Sequence, residues 1–333
     1  MHETRCNMKA VRVLLALCCA APAIAMAQTY PDKPIKMIVA WPPGGGTDVV
    51  GRVVAKHLGD RLKQPVIIEN RGGAGGLLGT EFVARAAPNG YTLQYTAADS
   101  HSINPHVFKD VRYDALKDFT PVAMVGCMPN GLVVRAGLPV VSVAEFIQQA
   151  KVQPGKLTFS TPGMGSGSHI RMESFMAYTK IAMLNVPFQG TGPAFLAIVS
   201  GQADSLMVPL GLAEANHRAG KVKVLAVDTP QRYAGLPEVP TFAEQGVSVN
   251  FSFWHGILAP AKVSEAIINL LNREANAVLA EAETRNDLLK VGLVAGTPGV
   301  NAFGGTPQEV RQFFDSEYVR WGKTIRDAKI TAE

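Results

Sequence analysis

Three short stretches of the chain combine glycine with hydroxyl or carboxyl side chains directly ahead of a helical pattern: WPPGGGTD (41–48), STPGMGSGSH (160–169) and FQGTGPA (188–194). Glycine lets a backbone approach a ligand closely, and the first N–H groups of a helix are unpaired donors at the positive end of its macrodipole. Such turns are suited to holding an anion: a nucleotide phosphate, a catalytic oxyanion or a carboxylate.

Phosphate loses its defining residues. No G-x-x-x-x-G-K-[ST] occurs, and neither GGAGGLLG nor GMGSGS satisfies G-x-G-x-x-G. Nucleophilic catalysis has Ser166, Ser168 and His169 to draw on, but there is no G-x-S-x-G elbow, no S-x-x-K and no H-E-x-x-H. Adjacent Ser and His at one helix start do not make a nucleophile–base pair by spacing alone. The plainer role for them is N-cap serines and a helix-start histidine that bind backbone or ligand. A secreted α/β hydrolase of a carboxylate ester or amide, acting through His169 and a neighbouring serine, is the alternative from a different class.

The elements that must position these turns follow from the hydrophobic periods. IKMIVAW reads as a strand, 48–62 as a helix, PVIIEN as a strand, LLGTEFVARAA as a helix and YTLQYTA as a strand. This alternation predicts a parallel, helix-covered sheet with its strand-to-helix turns along one edge. A second α/β set starts near Leu132 with LVVRA and runs through VAEFIQQAK, KLTFSTP, HIRMESFMAYT, MLNVPF, PAFLAIVSG and ADSLMVP to KVKVLAVD. Long amphipathic helices end the chain and need the first sheet to pack on. The expected fold is therefore α/β and two-lobed, each lobe a helix-covered, mainly parallel sheet. Lobe 1 is 28–128 completed by 252–333, and lobe 2 is 129–251. Crossings near 128–130 and 252–256 make a hinge, and the groove outside the carboxyl ends of the strands is the expected ligand site.

The first 27 residues read as an export signal. A basic stretch, MHETRCNMKAVR, precedes the apolar VLLALCCAAPAIA and then Ala25-Met26-Ala27, a small-x-small site, so cleavage is expected after Ala27 and the mature chain starts at Gln28 in the periplasm. The apolar run is short of the roughly 20 residues that span a bilayer. Cleavage removes Cys6, Cys18 and Cys19 and leaves Cys127, so no internal disulfide is expected. It also lowers the formal charge from +5 to +3. With charges scattered and no basic run, nucleic acid is not an expected partner. Clusters with zinc-ligand spacing are absent, and no metal or cofactor is expected.

Several motifs in fixed order resemble a known family: YPDKPIKMIVAWPPGGGTDVVGRVVAKHL, QPVIIENRGGAGGLLGTEFVARAAPNGYTL, KLTFSTPGMGSGSH, VPFQGTGPAFLAIVSGQAD, LPEVPTFAEQG and FWHGILAP. They look like the Bug (TctC-like) family, the extracytoplasmic solute receptors of tripartite tricarboxylate transporters. The resemblance spans nearly the whole mature chain. It implies a two-lobed Venus-flytrap without catalytic activity that closes on a small mono- or dicarboxylate and presents it to a membrane permease. A sensor without a cognate transporter is the variant reading, and a monomer is the expected state. Carried over by position, Pro43, Gly44, Gly45 and Thr47 with Asp48 form the first-lobe turn; Ser100, then Ser166, Ser168 and His169, then Gly190 and Thr191 supply the rest of the site. Two positions depart from the pattern: Val208 stands where an Asp is common, and Asp99 where a small residue is common. If Asp99 faces the cleft it opposes a second carboxylate and favours a hydroxyl or amine. Trp41, Phe188 and Trp254 leave an aromatic acid open as ligand.

Overall fold

A computed structural model describes residues 30–229, 231–247, 253–295, 304–327 and 330. The expected export segment and its expected cleavage site lie outside the described residues, as does position 252 of the second crossing. Everything below concerns the unit Lys33–Glu333.

The first lobe opens with the expected alternation: β1 (Ile35–Val39), α1 (Gly46–Leu62), β2 (Val66–Asn70), α2 (Leu77–Ala84) and β3 (Thr92–Ala97). β1 lies between β2 and β3 and is parallel to both, so IKMIV is apolar at nearly every position because both of its faces are covered. α1 buries Val50, Val54, Leu58 and Leu62, one residue per turn of a single face. Gly51 lets that helix approach the sheet: a Cβ there would stand 3.0 Å from the Tyr95 ring. After β3 the chain makes one π-helical turn, Asp99–Ile103, and a short helix, α3 (Asn104–Val107).

β4 (Phe119–Cys127) leads into the second lobe, which holds β5 (Asn130–Arg135), α4 (Val143–Val152), β6 (Thr158–Thr161), α5 (Gly167–Thr179), β7 (Leu184–Pro187), α6 (Thr191–Val199), β8 (Ser205–Pro209), α7 (Leu210–Arg218) and β9 (Val222–Val227). The chain then returns as β10 (Trp254–Pro260), α8 (Glu265–Ala280), α9 (Ala282–Lys290), β11 (Val294–Ala295) and α10 (Pro307–Asp327). The strand orders are β11-β4-β10-β3-β1-β2 and β7-β6-β8-β5-β9.

The two-lobed α/β architecture is as expected, but the sheets are mixed rather than mainly parallel. β10 runs antiparallel to β3 and β4, and β5 runs antiparallel to β8 and β9. These strands flank the passages between lobes. A parallel neighbour needs a crossover helix to carry the chain back, whereas a strand reached without one pairs in the opposite sense. β4, β10, β11 and α7 have no counterpart among the expected elements.

The terminal helices cover the first sheet. α10 buries Val310, Phe314, Trp321 and Ile325, and the Phe314 ring meets Trp254 edge-on at 4.3 Å. Each large side chain so buried contributes about 1.5–3 kcal/mol. The two passages between lobes lie side by side: Met128 N–H donates to the Phe253 carbonyl at 3.0 Å, and Cys127 stands opposite Trp254. Next to them Asn130 N–H donates to Asp228 Oδ1 at 2.6 Å, while Asp228 N–H donates to the Asn130 carbonyl at 2.9 Å.

Candidate binding cleft

In the first lobe, the turn after β1 opens into α1 through Gly45, an extended N-cap with no side-chain capping bond. The N-cap residue therefore satisfies none of the first N–H groups of this 17-residue helix. Gly44 adopts φ +82° with nothing within 4 Å of where a Cβ would lie, a left-handed conformation in open space. Pro43 is exposed and Thr47 half-buried.

Asp48 is only 2 % exposed and is committed to holding this turn. Its Oδ2 accepts from Gly44 N–H at 2.8 Å and Arg52 Nε at 3.0 Å, and its Oδ1 accepts from Asn70 Nδ2 at 2.8 Å. Asn70 Nδ2 also donates to the Trp41 carbonyl at 3.0 Å. Burial pushes the Asp48 pKa up, but the Arg52, Gly44 and Asn70 bonds outweigh burial and hold the carboxyl below its ordinary value.

In the second lobe, β6 and β7 are parallel neighbours with Thr161 opposite Pro187, so the turns that follow them sit together. Phe188 N–H donates to the Thr161 carbonyl at 2.8 Å and Gly190 N–H to the Pro162 carbonyl at 3.1 Å. Gly190, at φ +109°, is the N-cap of α6 and again no side chain caps the helix; Thr191 beside it is half-buried.

The neighbouring turn uses its polar groups internally. Ser166 caps α5, accepting from His169 N–H at 3.3 Å and donating to the Gly163 carbonyl at 2.7 Å. Ser168 Oγ donates to the Met207 carbonyl. His169 Nδ1 accepts from Gly165 N–H at 3.3 Å, its Nε2 lies 3.6 Å from Glu173 Oε1, and the ring stacks on Phe159. Neither serine hydroxyl is bonded to the imidazole.

Two sequence-derived candidates are buried within their lobes. Val208 is 0 % exposed and packs with Val133, Leu206 and Leu210 in the second-lobe core, because alternate residues of β8 share one face. Ser100 is fully buried; its Oγ lies 2.5 Å from Thr96 Oγ1 and 3.0 Å from His101 Nδ1, and its carbonyl accepts from the Tyr113 hydroxyl. Trp254 also belongs to the core and offers no face to a ligand.

Asp99 does lie between the lobes. It is 4 % exposed, its Oδ1 accepts from Ser100 N–H at 3.0 Å, and the Trp41 side chain hydrogen-bonds it. Burial raises its pKa to about 7 against the attraction of Arg171. Arg171, on α5, has its Nε 3.6 Å from Asp228 Oδ2 and its guanidinium 4.2 Å over the Phe253 ring. Burial raises Asp228 to about 7 as well and lowers Arg171 to about 10. Close by, the Phe108 ring of the first lobe meets Gly165 of the second, where a Cβ would stand 2.5 Å from the ring.

The residue-type reading missed Arg171 and Asp228. The available signal was a charge directly against buried apolar residues, Arg171 between Ile170 and Met172 and Asp228 after the apolar VLAV. Among the described residues no group of His, Cys, Asp and Glu could hold a metal ion, and no helix is long and apolar enough to cross a membrane.

Residues 50–330 match the family model described as the tripartite tricarboxylate transporter family receptor. Protein BugT of Bordetella pertussis is 34% identical over 326 residues, covering 96% of this chain and 98% of that protein. Among solved structures, a Rhodopseudomonas palustris protein with adipate aligns at TM-score 0.82 and 30% identity, covering 91% of this chain and 99% of the other. MatC from the same organism, with bound malate, aligns at TM-score 0.79 and 32% identity, covering 89% and 100%. These relatives are binding proteins.

Proposed function

The chain belongs to the receptor family of tripartite tricarboxylate transporters, and from that premise we propose that it captures a small organic carboxylate between its lobes in the periplasm and delivers it, unaltered, to a membrane permease. In this reading the export segment is removed after Ala27, and 28–128 with 252–333 closes against 129–251. The carrying observation is the pair of glycine N-caps, Gly45 and Gly190, that start α1 and α6 without a capping side chain. Each presents backbone N–H donors and the positive end of a helix, one from each lobe. Closure needs only that the ligand bind the closed form better than the open one.

Thr47 and Thr191, the second and first residues of those helices, are assigned hydroxyl contacts to the carboxylate, with Trp41 and Pro43 as walls. Asp48, Ser166, Ser168 and His169 shape the turns around them. Catalysis finds little support here: the serine hydroxyls are bonded to carbonyls and the His169 ring to a backbone N–H. Malate and adipate on the two relatives make dicarboxylates the natural first probes.

A thermal-shift screen of organic acids tests the proposal. An acid at one hundred times its Kd adds about 2.7 kcal/mol to stability, a rise readily measured in the melting curve. Failure of every acid to shift the melt, or chemical conversion of a bound acid that His169→Ala abolishes, overturns it.

A further inference from the structure

Phe108 is the first residue past α3, with extended backbone at φ −94° and ψ 141° and its N–H on the Asn104 carbonyl at 3.1 Å. Its half-buried ring projects off the end of that helix. One edge of the ring, Cζ and Cε2, meets a glycine from each lobe. A Cβ on Gly75 of the first lobe would stand 3.1 and 3.3 Å from these two atoms, and a Cβ on Gly165 of the second lobe 2.5 and 2.7 Å. Both glycines have left-handed backbone, at φ +64° and +73°.

Each seat is held by bonds within its own lobe. Gly75 belongs to a turn in which Gly73, Ala74, Gly75 and Gly76 all have positive φ, a conformation that costs Ala74 strain and that its neighbours must enforce. Gly76 N–H closes the turn on the Gly73 carbonyl at 3.0 Å, and the buried Asn104 donates through Nδ2 to the Gly75 carbonyl at 2.6 Å. Asn104 thereby ties the turn to the same short helix that carries the ring. On the other side, Gly165 N–H donates to His169 Nδ1 at 3.3 Å, and both the N–H and the hydroxyl of Ser166 donate to the Gly163 carbonyl. An aromatic edge set against bare backbone of the opposite lobe makes that contact only while the lobes are together.

We infer that Phe108 is a latch between the lobes: its ring, carried by the first lobe, seats on Gly165 of the second and slows their separation. The contact belongs to the fold and stands apart from any ligand, whereas its consequence for retaining an acid rests on the capture reading above. Because the ring seats after an acid has entered, the latch acts on dissociation and not on encounter.

A double-mutant cycle between Phe108→Leu and Gly165→Ala, read in thermal melts of the protein without ligand, tests the contact. Leucine keeps an apolar stem at the end of α3 but lacks Cζ and Cε2. The new methyl at position 165 meets the ring in the parent protein and finds space in Phe108→Leu, while the left-handed strain at that position is common to both and cancels. Gly165→Ala is therefore expected to lower the melting temperature less in Phe108→Leu than in the parent. Stopped-flow binding of malate then reads the latch itself: Phe108→Leu should release malate about three- to tenfold faster with its association rate unchanged. Melting shifts that simply add, or a malate dissociation rate that Phe108→Leu leaves unaltered, overturn the inference. If malate fails to bind the parent protein, that result counts against the capture reading, and the melting cycle alone decides the latch.

Discussion

Positions 47 and 48 are adjacent, yet their side chains do separable work. Asp48 clamps the turn through Gly44, Arg52 and Asn70, so Asp48→Ala should lower stability by about 1–3 kcal/mol, read in denaturant melts. Because its folded pKa lies below the ordinary 3.8, its contribution is present above about pH 4 and is lost as the pH falls further; the acid limb of the stability profile should be shallower in Asp48→Ala. Thr47→Ala, by contrast, should weaken acid binding about ten- to a hundredfold by calorimetry with little change in melting. The glycine turns and the helix starts that follow them were readable because backbone conformation is local. Val208 and Ser100 were not, since which way a strand or turn residue points depends on neighbours far along the chain.

The strand-to-helix turns are also where the elements tolerate least change. Gly165 sits at φ +73° with the Phe108 ring where a Cβ would go, so Gly165→Ala adds left-handed strain and a clash between lobes. A loss of about 1–2 kcal/mol is expected from the backbone alone. A lower melting temperature together with weaker ligand binding would report it; unchanged values for both would contradict the close approach. The alternating elements of each lobe were legible from their periods of 2 and 3.6. β10 was not, because its place between β3 and β4 is fixed by pairing with strands more than 120 residues earlier. α7 was hidden for another reason: it buries only Leu210 and Ala213, too few to mark a face.

For the whole molecule, the charges at the lobe junction predict an unusual pH profile. Asp99 and Asp228 have folded pKa values of about 7 against an unfolded 3.8, so the native state holds more protons between those limits. Stability should be greatest on the acid side of this window and decline as the pH rises from about 4 through 7. Asp228→Asn should flatten the decline in pH-dependent melting. Closure is expected to turn about 128–130 and 253–256, where a few residues can absorb the rotation. Saturating ligand should reduce the radius of gyration in solution scattering, and an unchanged radius would exclude a hinge there.

The strand order has a consequence for the order of folding. β10 lies inside the first sheet, between β3 and β4, yet it is made after the whole second sheet. The N-terminal strands therefore wait, unpaired along β3, until residues 254–260 arrive, while β5 to β9 have all their partners earlier. Pairings this distant in sequence form slowly. Under the export proposed above, that delay would keep the chain unfolded for longer: the first lobe cannot close its sheet until most of the polypeptide has been synthesised.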